Sequence, residues 1–191
     1  MIEIIAEHSV NTELLPARAT ILDLGCRGFL FAKELQSRGH MLVVIDVEDF
    51  FEEFRAGITY GHFFQIAITN HNGKCGISRS SDPQATKIKE GNEIDCYTLE
   101  EFSRLVDIPF WDLIKIDIEG SEYEVIMSLT KAPATQLSIE FHLHTGVYGI
   151  DSVQEIVDKL EDLGYEIAKH ELTEAHGCGF NYWDSLFILK S

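Results

Sequence analysis

The stretch DLIKIDIEGSEYEVI, residues 112–126, carries Asp117, Glu119 and Glu122 within six positions, where an apolar run stops and a glycine follows. Carboxylates at that density can take up protons, ligate a divalent cation or accept hydrogen bonds, and each use requires that neighbouring elements hold them in place. Side chains alternate along a strand, so Lys115, Asp117 and Glu119 share one side while Ile114, Ile116 and Ile118 share the other. TQLSIEFHLH (135–144) repeats the pattern, with Ser138, Glu140, His142 and His144 on one side and Leu137, Ile139, Phe141 and Leu143 opposite. Buried charges must be paired or coordinated. The two strands therefore predict a shared polar edge, with Lys115 and Glu140 as a structural pair deep in the sheet and Asp117, Glu119 and His142 as candidate catalytic groups near its mouth. An imidazole takes a proton near neutral pH, so the general base is His142 or one of the two carboxylates. Glu122 reads as structural, in the first turn of a helix capped by Ser121, where a carboxylate favours the helix dipole.

A second group lies earlier, in LDLGCRG (22–28). Gly25 lets the chain turn tightly, Gly28 lets a ligand or the sheet approach the next helix, and the free N–H groups of that helix can hold an anion. Asp46 closes the strand MLVVID about twenty residues on, where a carboxylate accepts hydrogen bonds from ribose hydroxyls. A nicotinamide dinucleotide prefers the tighter G-x-G-x-x-G turn. Here the pattern is D-x-G-x-x-G, and Asp23 suits a cofactor with a cationic group nearby, such as the ammonium and sulfonium of S-adenosylmethionine.

These residues need a frame, and short β-like runs alternate with helical periodicity throughout the chain, the mark of an α/β sheet. Strands are expected over 19–25, 41–46, 62–68, 113–118 and 135–144, with helices over 29–38, 47–57, 99–105 and 122–129. SVQEIVDKLEDLG (152–164) has one apolar stripe of Val153, Ile156, Val157, Leu160 and Leu163. YEIAKHEL and SLFILK are expected as a closing antiparallel pair. Residues 70–95 break the rhythm with a hairpin-like excursion, and the polar loop 78–91 is a candidate lid.

Composition bounds the function. With 191 residues, 45% apolar and 25% charged, one domain spanning 1–191 is expected. Fifteen basic against 32 acidic residues give a net charge of -17, which repels polyphosphate and argues against nucleic acid as partner. No apolar run reaches the roughly 20 residues of a membrane span. Four cysteines without a CxxC pair, and no secretory pattern in MIEIIAEHSV, point to a reduced cytoplasmic protein. HELTEAHGC (170–178) lacks the spaced ligand pairs of a structural zinc site.

LIKIDIEGSEYEVI resembles the signature strand and helix of the FkbM-like family of class I methyltransferases. ILDLGCRG resembles that family's cofactor turn, Asp46 its ribose-binding acid, FQIAITNHNGKCGI its third strand and following hairpin, YTLEEF the approach to its fourth strand, and LSIEFH its fifth. Arg27 stands where many methyltransferases have a glycine or a small polar residue. The resemblance implies a Rossmann-like, doubly wound, mostly parallel seven-stranded sheet with an antiparallel last strand. It implies S-adenosylmethionine held by Asp23, Gly25, Cys26, Gly28, Asp46, Val47, Ala67 and Asp117, and methyl transfer to a hydroxyl of a glycan, glycolipid or small metabolite. His142, Glu119 and Asp117 would be catalytic, with a divalent metal on the same residues as a variant, and a homo-oligomer could complete a short chain. A nicotinamide-dependent oxidoreductase and a non-catalytic cofactor-binding module are the alternatives.

Overall fold

The computed structural model describes residues 1–79, 86–143, 147, 149–175 and 180–190, with 171–175 and 180–183 as backbone alone. An antiparallel hairpin, β1 (Ile2–Ile5) and β2 (His8–Asn11), opens the chain. Then come β3 (Thr20–Leu24), α1 (Leu30–Ser37), β4 (Met41–Asp46), α2 (Phe51–Gly57) and β5 (Gly61–Gln65). An accessory sheet follows, built from β6 (Ala67–Ile68), β7 (Gly73–Ser78) and β8 (Lys87–Tyr97). The second half runs α3 (Leu99–Leu105), β9 (Trp111–Ile116), α4 (Glu122–Met127), β10 (Ala134–Phe141), α5 (Ile150–Asp162), β11 (Tyr165–Ala175) and β12 (Phe180–Leu189).

Seven strands form the main sheet in the order β11-β12-β10-β9-β3-β4-β5. β3, β4, β5, β9 and β10 pair in parallel, and β12 runs antiparallel to both of its neighbours. The chain steps outward from β3 to β5, then crosses back to β9 on the other side of β3. That reversal opens a crevice at the carboxyl ends of β3 and β9, where open α/β sheets bind ligands.

Alternation decides which face each residue serves. Leu22, Leu24, Ile114, Ile116, Leu137 and Ile139 fill a core beneath α3, α4 and α5. On the opposite face, α1, α2 and the β1–β2 hairpin cover Ile21, Leu42, Val44 and Leu113. Asp23, Lys115 and Ser138 stand abreast in register. The hairpin supplies hydrogen bonds to that polar stretch of the sheet: the Asn11 N–H donates to Gln136 Oε1 at 3.0 Å, and the Ser9 N–H donates to Asp184 Oδ1 at 3.3 Å.

Three expectations change. The strand foreseen over 62–68 breaks at Ile66, so that Ala67 and Ile68 leave the main sheet for the accessory one. Most of the described residues of the loop foreseen over 78–91 are strand, since Ser78 pairs with Lys87 and β8 runs on from there; residues 80–85 lie outside those described. The opening hairpin stands where the sequence patterns predict no element.

Candidate active site

The glycine turn after β3 is locked from two sides. Gly25 has φ +78°, and a Cβ there would lie 1.7 Å from the Asp117 carbonyl oxygen, so neither conformation nor space admits another residue. Its N–H donates to Ile45 O at 3.0 Å. Gly28, at φ +75°, has open space where a Cβ would stand. Asp46, at the end of β4, accepts from the Cys26 N–H through Oδ2 and from the Glu48 N–H through Oδ1, both at 3.0 Å. The Cys26 thiol also donates to Oδ2, at 3.5 Å, so Oδ1 is the oxygen with a lone pair for a further donor. Burial raises the Asp46 carboxyl above its ordinary value, and burial with the adjacent Asp46 carboxylate raises the Cys26 thiol. Beside them an apolar slot of about 390 Å³, mouth included, is walled by Ile45, Val47, Ile66, Ala67, Ile88 and Ile118.

Asp23 does not reach that slot's lining. It is fully buried, 3.1 Å from Lys115 Nζ, with neither oxygen in an aligned hydrogen bond, and burial outweighs the pull of Lys115 to raise its carboxyl. Lys115 lies 3.0 Å from Asp117 Oδ2 and donates to the Gly25 carbonyl, so its partners are Asp23, Asp117 and the turn, not Glu140. Burial opposes its charge, but Asp117 and Asp23 more than offset that and raise it.

Asp117, Glu119 and His142 do converge. His142 Nε2 is 3.3 Å from Asp117 Oδ1 and 3.8 Å from Glu119 Oε1, while Nδ1 meets Glu122 Oε1 at 2.7 Å. Glu122, read from sequence as a dipole-favouring residue, is fully buried and also accepts from the Ile118 and Gly120 N–H groups, so it anchors the turn and the imidazole together. Burial alone would lower His142, but Glu122 and Asp117 outweigh it and hold the ring well above its ordinary value, as a cation that donates from both nitrogens. For Asp117 burial likewise opposes ionisation, and Lys115, His142 and His8 hold the carboxyl well below the usual range. Glu119 differs. Burial, with Asp117 and Glu122 nearby, pushes it up to about 7. It sits at φ +54°, a left-handed conformation costly for a non-glycine residue, so simple strand alternation ends at Ile116.

His8, a residue the sequence patterns did not mark, completes the group with Nε2 3.5 Å from Asp117 Oδ2. Asp117, Glu119 and His142 bring one donor atom each within 4.8 Å of one another, as do His8, Asp117 and Glu140, and either set could hold a divalent cation. His144, His176 and Cys178 lie outside the described residues. A second, polar cleft of about 1120 Å³, mouth included, is lined by Thr69, His71, Lys74, Lys87, Ile88, Glu119 and Ser121 among others. It shares Ile88 with the apolar slot, and consecutive residues Ile118 and Glu119 line the slot and the cleft respectively.

Among solved structures, the chain is similar to the fibrillarin pre-rRNA processing protein of Methanococcus jannaschii (TM-score 0.58, 10% identity, 95% of this chain and 70% of that one). It is also similar to a TehB-like SAM-dependent methyltransferase from Corynebacterium glutamicum (0.53, 14%, 93% and 84%) and to magnesium protoporphyrin IX methyltransferase from Synechocystis with bound SAM (0.53, 11%, 93% and 72%). At these identities the likeness is one of fold. No curated protein matches the chain in sequence. The sequence profile of the Methyltransferase FkbM domain matches residues 16–167, from just before β3 into β11, and takes in the glycine turn, Asp46 and the Asp117–Glu119–His142 cluster. The chain belongs to that family and is an S-adenosylmethionine-dependent methyltransferase.

Proposed function

We propose that the protein methylates a hydroxyl oxygen of a glycan, glycolipid or small metabolite, with Glu119 as the base. The observation that carries this is the junction of slot and cleft: a carboxyl pushed up to about 7 lines the polar cleft one residue from the wall of the apolar slot. S-adenosylmethionine supplies the methyl group. Asp46 Oδ1 has a lone pair left for a ribose hydroxyl, and Val47, Ala67 and their aliphatic neighbours suit the adenine faces. Lys115, drawn to the Gly25 carbonyl, steadies the turn, while Asp23 acts through Lys115. Glu119 takes the hydroxyl proton. His142, charged and anchored at Nδ1 by Glu122, turns Nε2 toward Asp117 and Glu119. The mixed polar lining of the cleft suits a hydroxyl-rich acceptor, and the net charge of -17 disfavours nucleic acid. No helix among the described residues is long and apolar enough to cross a membrane.

The test is transfer of an isotopically labelled methyl group to a panel of sugars, glycolipids and phenolic or polyketide alcohols, with the product linkage read by NMR. An O-methyl ether is expected. A product methylated on nitrogen or carbon overturns the hydroxyl acceptor.

Cofactor contact through Asp46 is tested separately. D46N is expected to weaken binding of S-adenosylhomocysteine by roughly 10- to 100-fold in calorimetry, the scale of a hydrogen bond to a charged partner. Unchanged affinity in folded D46N removes Asp46 from the cofactor site.

A further inference from the structure

The segment before residue 16 lies outside the match to the family profile, yet it brings a side chain into the polar cluster. His8, on β2, is 4% exposed. Its Nε2 faces Asp117 Oδ2 at 3.5 Å, and its ring stands edge-on to Phe31 of α1, with centroids 5.6 Å apart. The neighbouring residues hold it there. Ser9 is tied to Asp184 on β12, and Asn11 exchanges hydrogen bonds with Gln136 on β10. Lys169 reaches in from β11 to donate to Ser9 Oγ at 3.0 Å. The hairpin is thus fastened to three strands on the far side of the sheet from the cofactor turn, and His8 is the residue it extends toward the crevice.

Asp117 is consequently gripped at both oxygens by groups from three different elements. Lys115 of β9 and His8 of β2 meet Oδ2, and His142, just past β10, meets Oδ1. The terminal torsion of an aspartate is soft, so its carboxylate plane is set by its partners rather than by its rotamer. Lys115 is a weak guide to that plane, because an ammonium is a compact point charge and this one is shared with Asp23 and the Gly25 carbonyl. The planar imidazole of His8, held edge-on to Phe31 and by its own strand, approaches Oδ2 from one fixed direction. Glu122 anchors His142 at Nδ1, and the plane of Asp117 sets how the opposite, Nε2 edge of the ring is turned, and with it the distance from that edge to Glu119.

We infer that His8 is a positioning residue of the methyl-transfer site. Through Asp117 it sets the orientation of His142 and Glu119, which makes the N-terminal hairpin part of the active site rather than only a cover for the polar face of the sheet. That role rests on the assignment of Glu119 and His142 made above, but its test does not need turnover.

The experiment compares imidazole proton–nitrogen NMR spectra of the uniformly labelled full chain with those of H8F and H8Q, with H142Q used to assign the His142 signals. H8F keeps a ring against Phe31 but has no donor, whereas H8Q restores an N–H. The His142 resonances should move by more than their line width in H8F and return toward their wild-type positions in H8Q. Binding of S-adenosylhomocysteine, measured by calorimetry, should be unchanged in both. Superimposable His142 signals in folded H8F overturn the inference. The reciprocal variant D117N decides the matter even where H8F does not fold: His8 and His142 resonances must shift together, and a His8 signal that stays in place overturns the contact. Failure of Glu119 as the base would appear instead as retained turnover in E119Q, a result that leaves these spectra unaffected.

Discussion

Replacing Glu119 with Gln is expected to cut turnover by about 10²- to 10⁴-fold, the range for loss of a positioned general base, with S-adenosylmethionine affinity retained. Gln keeps the shape of the side chain and cannot accept the proton. Because burial pushes Glu119 up to about 7, wild-type activity should rise with pH through that value and level off above it, where the carboxylate is ionised. E119Q should lose the rise. The same shift has a thermodynamic sign. A carboxyl whose folded value lies above its unfolded one binds more protons in the native state, so its ionisation costs stability as the pH rises from about 4 through 7. E119Q should therefore be more stable than wild type at pH 8, by on the order of 1–3 kcal/mol, with the gap narrowing as the pH falls toward 5. Denaturant midpoints at the two pH values measure it. An inactive variant with no gain in stability would mean that Glu119 is not held against its own charge. Recovery of E119Q turnover by added Mn²⁺ would make Glu119 a metal ligand rather than a base.

The contrast between Glu119 and His142 marks where sequence stops being informative. Alternation in KIDIE and SIEFHLH correctly sends Lys115, Ser138 and Glu140 to one face, because each lies inside a regular strand. It says nothing of residues past Ile116, where the chain turns left-handed at Glu119, and the convergence of Asp117, Glu119 and His142 depends on that turn. Ordinary titration behaviour makes a histidine the natural base, but the environment reverses the choice: Glu122 and Asp117 hold His142 charged, while burial lifts Glu119 toward neutrality. Glu122 reads from sequence only as a structural first-turn carboxylate, because its depth is set by α4 packing on the sheet, which no local pattern encodes. His8 was invisible for a related reason. HSVN is a four-residue strand too short for periodicity, and its importance comes from a contact 109 positions away with Asp117. Lys115 pairs with Asp23 and Asp117 and not with the expected Glu140, because parity fixes a face but not a neighbour. Asp23 stands level with Lys115 only because β3 pairs directly with β9.

That pairing makes Lys115 the residue whose loss should damage the fold most. Lys115→Met removes the cation between Asp23, which has no solvent exposure, and Asp117, and leaves a buried carboxylate without compensation. Breaking a buried pair from one side costs about 3–5 kcal/mol, because the desolvation of the remaining charge is no longer offset. The two acids should respond differently. Asp117 retains His142 and His8, whereas Asp23 has no other ion-pair partner among the described residues, so the penalty should concentrate on Asp23 and be relieved by its protonation. Its carboxyl is already raised by burial, and removing Lys115 raises it further. The native variant then binds a proton that the unfolded chain releases, so stability relative to wild type should recover as the pH falls from 8 toward 5. D23N/K115M, which removes both charges of that pair, should regain much of the loss at pH 8, since an amide facing a thioether leaves no buried charge. Urea unfolding of the three proteins at both pH values separates these contributions. A K115M variant within 1 kcal/mol of wild type at pH 8, a difference typical of exposed ion pairs, would mean that water reaches Asp23 and that the Asp23–Lys115–Asp117 row does not hold the cofactor turn to the sheet.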